Sequence, residues 1–210
     1  MYGRKVLLVN PWIYDFAAYD LWAKPLGLLY LGAMLRKNGC RVDLIDCLTC
    51  DQPPARAYGQ GMFRREVVDK PSALKHIPRH YARYGMPVET FQSRLARLEP
   101  PDVVLVTSLM TYWYPGVFEA IRHIKAAFAH TPVVLGGIYA TLCYEHAAAN
   151  SGADHVIAGE GEARLMSLLS VLWGASARTE QGPDDLDARA YPCLDLEPSL
   201  RYGCILTSRG

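Results

Sequence analysis

The chain lacks the two signatures that most often explain an alternating strand–helix sequence. Neither G-x-G-x-x-G nor a Walker lysine motif follows the first predicted strand, so dinucleotide and nucleoside-triphosphate binding of the standard kinds are disfavoured. Surplus charge is missing too. Lys and Arg total 22 against 21 for Asp and Glu, a net +1, which supplies no general attraction for nucleic acid or anionic lipid. The opening MYGRKVLLVNPW has an apolar run too short for a signal sequence or a membrane span, which leads us to expect a cytoplasmic protein with no membrane partner and no nucleic-acid partner. Six cysteines are scattered along the chain, and without an export signal they read as reduced thiols rather than a disulfide framework. Cys47 and Cys50 have the spacing of a metal or redox pair. No second pair or nearby His completes a zinc set and no thioredoxin-like pattern surrounds them, so chance spacing is the preferred reading.

What is present is a regular order of elements. Lys5–Val9 is a short apolar run, the mark of a strand buried on both faces. Leu26, Leu29, Tyr30, Ala33 and Met34 recur at helical spacing between Pro25 and the Asn38-Gly39 stop, and Arg41–Asp46 alternates as a second strand. The pattern resumes with strands at Asp102–Ser108, Pro132–Leu135 and Asp154–Ala158. Helices are predicted at Pro115–Phe128, Ala140–Asn150 and Glu162–Trp173. This alternation predicts an α/β fold, a doubly wound five-stranded parallel sheet of flavodoxin-like order 2-1-3-4-5, with Val6, Leu8, Val104, Val106, Val134 and Val156 buried in it. Residues 51–100 interrupt the pattern with six prolines and many basic and aromatic residues. They read as an insertion after the second strand, with short helices near Val67 and over Glu89–Leu98. Residues 1–175 thus form the α/β domain. Residues 176–210 read as a linker followed by the first strand of a further domain.

In an open parallel sheet, ligands bind beyond the carboxyl ends of the strands, which selects four loops. Their glycines, Gly136-Gly137 and Gly159-Glu160-Gly161, admit a ligand close to the main chain. Tyr112, Trp113, Tyr114 and Tyr139 could cover a large apolar ligand, with Ser108, Thr111 and Thr141 as hydrogen-bonding groups. The plainer reading is that the glycines make turns and the aromatics cap the sheet. No catalytic residue is assigned. Glu160 and Glu162 are already explained by their place at a helix start, and His155 reads as a structural histidine.

The succession VLLVNP, PLGLLYLGAML, PDVVLVTS, VVLGGIYAT, GADHVIAGEGE and ILTSRG resembles cobalamin-binding-domain radical S-adenosylmethionine (SAM) proteins along essentially the whole chain. The resemblance implies a cobalamin cofactor, with contacts at Asn10, Pro11, Ser108, Leu109, Thr111, Gly136, Gly137, Ile138, Gly159, Glu160 and Gly161. It also implies that Thr207-Ser208-Arg209-Gly210 leads into a C-terminal radical SAM domain, this chain's expected partner, holding a 4Fe-4S cluster, SAM and an unknown small-molecule substrate. One family feature is absent: Asp15–Asp20 carries no D-x-H-x-x-G, so the resemblance implies either cobalamin without a protein nitrogen on cobalt or a fold that has lost the cofactor. Two other readings stay open, a docking or substrate-access module of the same fold and an independent flavodoxin-like protein.

Overall fold

A computed structural model describes residues 1–20, 24–49, 63–174, 190–197 and 202–204. Residues 51–62, most of the expected linker, the terminal ILTSRG and Cys50 lie outside the described residues.

The parallel sheet is formed by β1 (Lys5–Asn10), β3 (Arg41–Asp46), β6 (Val103–Val106), β7 (Val133–Leu135) and β8 (His155–Val156), in the order β3-β1-β6-β7-β8. Counted along the chain, its strands stand in the predicted order 2-1-3-4-5. All four ladders are parallel, from Lys5 opposite Arg41 at one edge to Leu135 opposite Val156 at the other.

Alternate residues of the central strands face opposite layers, as strand geometry requires. Leu7, Val9, Val104 and Val106 pack under Phe91, Ile121 and Ile124, from α2 (Val88–Arg97) and α3 (Tyr114–Ala127). Val6, Leu8, Leu105 and Val134 pack under Leu28, Leu165 and Leu169, from α1 (Leu26–Lys37) and α6 (Gly161–Trp173). Of the six residues expected in the core, Val156 is the exception. It is only half-buried, because β8 is an edge strand of two residues with a neighbour on one side.

The buried face of α1 is rotated from the expected stripe. Leu28, Leu29, Gly32, Ala33 and Leu35 are buried, whereas Leu26, Tyr30 and Met34 are partly exposed. Residues 190–197 explain part of this rotation, since they run along α1: the Cys193 N–H donates to Leu29 O at 3.1 Å, and Arg36 pairs with Asp195 at 2.7 Å. A methyl group on Gly32 would lie 3.4 Å from Cys193 Sγ.

The segment between β3 and β6 supplies two strands of a second, three-stranded sheet that the sequence reading missed. β2 (Ile13–Asp15), which follows β1, pairs antiparallel with β5 (Ala82–Tyr84), and β5 pairs antiparallel with β4 (Arg65–Val67). The helix expected near Val67 is therefore a strand. Arg65, Glu66 and Val67 show no helical apolar spacing, and a hydrogen-bonding edge was available on β5. Ile13, Leu48, Phe63, Ala82, Tyr84 and Trp113 form a small core between this sheet and the strand ends. The helix expected over Glu89–Leu98 is α2. It packs against α3, and its Phe91 meets Trp12 edge-on at 4.9 Å between ring centres. The α3 backbone comes so close to Trp12 that a side chain on Gly116 would overlap Trp12 O at 1.9 Å.

Candidate ligand cleft at the strand ends

Two glycine turns shape the carboxyl ends of β7 and β8. After β7 the chain turns through Gly136 and Gly137 into α4 (Ile138–Leu142), and Gly137 adopts φ +93°. Only glycine reaches that conformation without strain. A Cβ at Gly137 would also stand 2.5 Å from Ser108 O, 2.8 Å from Ser108 N and 2.9 Å from Thr107 Oγ1. The close approach is used, since the Ile138 N–H donates to Ser108 O at 2.8 Å and locks the two loops together. After β8, Gly159 (φ +74°) leads into α6, and no heavy atom lies within 4 Å of where its Cβ would stand. Thr141 joins the turns: its hydroxyl donates to Gly137 O at 2.9 Å and accepts from the Gly159 N–H at 2.9 Å.

Between these turns and the first turns of α1 opens a cleft of about 740 Å³. Its floor is Leu105, Val106, Thr107 and Val134, and its walls are Leu28 and Leu31 of α1, Leu165 of α6 and Ile157. Gly136, Gly137, Ile138, Gly159, Glu160 and Gly161, six of the eleven residues expected to contact a cofactor, line it together. Large apolar surface continues at its rim, where Leu142 is 70% exposed and Ile138 46% exposed. Such a lining suits a bulky, partly apolar ligand whose polar edges meet backbone amides and a few hydroxyls.

The other expected contacts stand elsewhere. Asn10, Pro11, Ser108 and Leu109 line a narrow crevice of about 10 Å³ closed by Trp12, Leu48 and Trp113. Ser108 Oγ donates to Met110 O at 3.1 Å, and Asn10 Nδ2 donates to Asp46 Oδ1 at 2.8 Å. Thr111 begins the short 3-10 turn Thr111–Trp113 and lines neither space. Two of the four aromatic residues are turned inward. Trp113 is buried with its indole N–H on Asp15 Oδ2 at 2.9 Å, and Tyr139 is buried with its hydroxyl 2.6 Å from His146 Nδ1. Burial, with Cys143 and Tyr114 nearby, pushes the Tyr139 phenol up to about 12, so it stays neutral. Tyr112 and Tyr114 remain at the surface, and Tyr114 stacks on Tyr139 at 5.9 Å.

The sequence reading missed Gly27, Leu28 and Leu31. They lie on a helix read only as core, and nothing in their spacing separates a cleft wall from a packed face. The single helix expected over Ala140–Asn150 is two, α4 and α5 (Tyr144–Asn150), broken at Cys143, whose φ of −127° leaves the helical region. The break leaves α4 a short cover for the cleft.

Among the described residues no group of three His, Cys, Asp or Glu is placed to hold a metal ion, and no helix is long and apolar enough to cross a membrane. Cys40, Cys47, Cys143, Cys193 and Cys204 are free thiols.

Comparison with known proteins bears on this cleft. The chain is 25% identical over 173 residues to the cytidylyl-2-hydroxyethylphosphonate methyltransferase of Streptomyces wedmorensis, covering 81% of this chain and 29% of that enzyme. This chain therefore spans less than a third of its relative's length. A cobalamin-binding protein from Desulfitobacterium hafniense DCB-2 aligns with a TM-score of 0.48 and 14% identity over 81% of this chain and 58% of its own. The receiver domain of the sensor histidine kinase PA1611 of Pseudomonas aeruginosa PAO1 aligns with a TM-score of 0.45 and 16% identity over 82% and 99%. At TM-scores below 0.5 neither likeness carries a function. Residues 80–169, the stretch that contains both glycine turns and every cleft residue outside α1, match the family of the B12 binding domain.

Proposed function

We propose that this chain binds cobalamin in the cleft between α1, α4 and α6 and presents it to a radical SAM domain of the same protein. The observation that carries the reading is the coincidence of that cleft with the part of the chain that matches the B12 binding domain. The residues fit the group. Gly136 and Gly159 would admit a corrin edge or nucleotide tail to bare backbone, Leu28, Leu31, Ile157 and Leu165 would enclose its apolar parts, and Ile138 and Leu142 would border the open mouth. Thr141 would keep the two turns at a fixed separation. Bound there, cobalamin would supply a cobalt centre able to carry a methyl group or take part in radical chemistry. The 4Fe-4S cluster and SAM would belong to the C-terminal domain. The resemblance of the ILTSRG motif and the methyltransferase relative support that parent.

A second reading, a docking module of this fold without corrin, is favoured by the closure of the crevice at Asn10, Pro11, Ser108 and Leu109 by Trp12 and Trp113. Mixing the chain with hydroxocobalamin, desalting it and recording the visible spectrum separates the two. Stoichiometric retention of corrin is the expected result. No retention, under base-off conditions as well, overturns it in favour of the docking module.

A further inference from the structure

Helix α1 is contacted on two adjoining faces by different parts of the molecule. On one, Gly27, Leu28 and Leu31 form a wall of the cleft, and Leu31 Cδ1 lies 3.8 Å from where a Cβ on Gly161, at the start of α6, would stand. On the other, residues 190–197 run along the helix. Lys24 Nζ pairs with Glu197 Oε2 at 2.7 Å, the Cys193 N–H donates to Leu29 O at 3.1 Å, and Arg36 pairs with Asp195 at 2.7 Å. Gly32, whose missing side chain leaves room for Cys193 Sγ, stands between the last two contacts. Positions 29, 32 and 36 recur at helical spacing, so the segment follows one face from the first turn of α1 to the last. Leu196 enters the apolar layer that also holds Leu28, Leu31 and Leu165. The helix that bounds the cleft is thus held from behind by a strap drawn from beyond α6.

The polar contacts of the strap are weak ones. The Arg36–Asp195 pair is open to solvent, and such pairs add little. Glu197 is the opposite case. Its side chain is only 1% exposed, Lys24 engages one oxygen, and Oε1 is buried without a hydrogen bond. Burying a carboxylate so incompletely partnered offsets most of what the ion pair contributes, because release would return both oxygens to water. A segment held this way is easily biased from elsewhere.

We propose that residues 190–197 set the position of the cleft wall: seated, they hold Leu28 and Leu31 where the cleft closes on its ligand, and released, they let the first turns of α1 withdraw. The inference rests on the reading of the cleft as the corrin site. Wall and strap are two faces of one helix, so a ligand that binds better against the seated wall stabilises the strap, and the strap strengthens binding by the same factor. The chain beyond α6 thereby becomes sensitive to whether the cleft is filled.

Exchange of the Cys193 amide in the intact chain, with and without hydroxocobalamin, reads the seating. Saturation with corrin should raise its protection about fivefold or more, while the Val68 amide, bonded to Tyr81 O in the second sheet, keeps its own. Lys24→Met strips Glu197 of its ion-pair partner and should release the strap. Protection then falls at Cys193 and at the Leu29 amide, which donates to Pro25 O, and the corrin dissociation constant from a spectral titration rises by a factor matching the gain in protection. Asp195→Ala should act in the same direction more weakly, and it carries the test if Lys24→Met loses the protection of β1 and so fails to fold. Corrin retained with Cys193 protection indifferent to it, or with a dissociation constant unchanged by release, overturns the strap and leaves the cofactor reading standing. If the wild type retains no corrin, that reading falls instead and the strap is judged on the empty chain: faster exchange at Leu29 in the variants supports it, and an unmoved Leu29 overturns it.

Discussion

Gly137 carries more of the candidate site than any other single position. Its positive φ and the absence of a Cβ let the β7–α4 turn lie against Ser108, and that contact fixes where the bare backbone of the cleft stands. Gly137→Ala should cost at least about 1–3 kcal/mol from backbone strain, with the clash against Ser108 O added to it. Denaturant unfolding followed alongside corrin retention checks this: we expect lower stability and weaker retention together, and an unchanged midpoint would refute the packing argument. Thr141 makes the complementary case, because its hydroxyl spans Gly137 O and the Gly159 N–H. Thr141→Val should loosen the tie by about 0.5–1.5 kcal/mol for each hydrogen bond lost, and Thr141→Ser should keep it; a Ser variant less stable than the Val variant would show that the methyl group, not the hydroxyl, matters. These glycines could be singled out from sequence because a Gly-Gly directly after an apolar strand marks a tight turn where backbone stands bare at the end of the sheet. The inward turn of Trp113 could not, since an aromatic residue in a loop reads the same whether it covers a ligand or fills a core.

Among the elements, the second sheet depends on one arginine. Arg83 of β5 pairs with Glu119 of α3 at 3.2 Å and with Glu66 of β4 at 2.6 Å, and its guanidinium lies 5.7 Å from the Trp12 ring centre. Tyr14 of β2 donates to the same Glu119, and burial, reinforced by that carboxylate, raises its phenol far above the ordinary range. The sheet is thereby tied to α3 through a partly buried carboxylate shared by Arg83 and Tyr14, with Arg122 more distant at 3.9 Å. Removing the arginine leaves that carboxylate poorly compensated, so Arg83→Met should cost on the order of 2 kcal/mol, less than the loss of a fully buried pair. The loss should fall unevenly, with amide exchange rising in β4 and β5 while β1 and β6 stay protected; a uniform rise would mean that the two sheets unfold as one unit. This sheet was illegible in the sequence for a physical reason. Its strands are three residues long, too short for alternation to register, and two of them come from a stretch dense in Pro, Arg and His. Helix α2 was legible in place but not in role. It reads as part of an insertion, yet it covers the sheet beside α3 like any other layer helix.

At the level of the whole molecule, the strand order and the two layers were readable because the apolar runs at Lys5–Val9 and Val103–Val106 admit little but buried parallel strands. What escaped was how the loops partition the strand ends into an apolar cleft over β6, β7 and β8 and a closed polar corner over β1 and β3. The division bears on cobalt. No histidine occurs before His76, His123 is held between Gln92 and Arg122, and His146 is engaged by Tyr139. Any cobalamin bound should therefore lack a protein nitrogen beneath the metal. Electron paramagnetic resonance of the cob(II)alamin-loaded chain should show no nitrogen splitting from the protein, and a splitting abolished by His146→Ala or His155→Ala would contradict this. The two margins of the sheet carry a different consequence. Open strands template the addition of further chains, and natural proteins blunt them with charge or brevity. Here one margin, β3, points Arg41 and Asp43 outward, and the other, β8, is two residues long and follows Asp154, whose carboxylate accepts the Val133 N–H at 2.8 Å. Each border of the sheet is thus a poor seed for aggregation, so among the described residues self-association would have to start from exposed apolar side chains off the sheet, Ile138 and Leu142 at the cleft mouth among them.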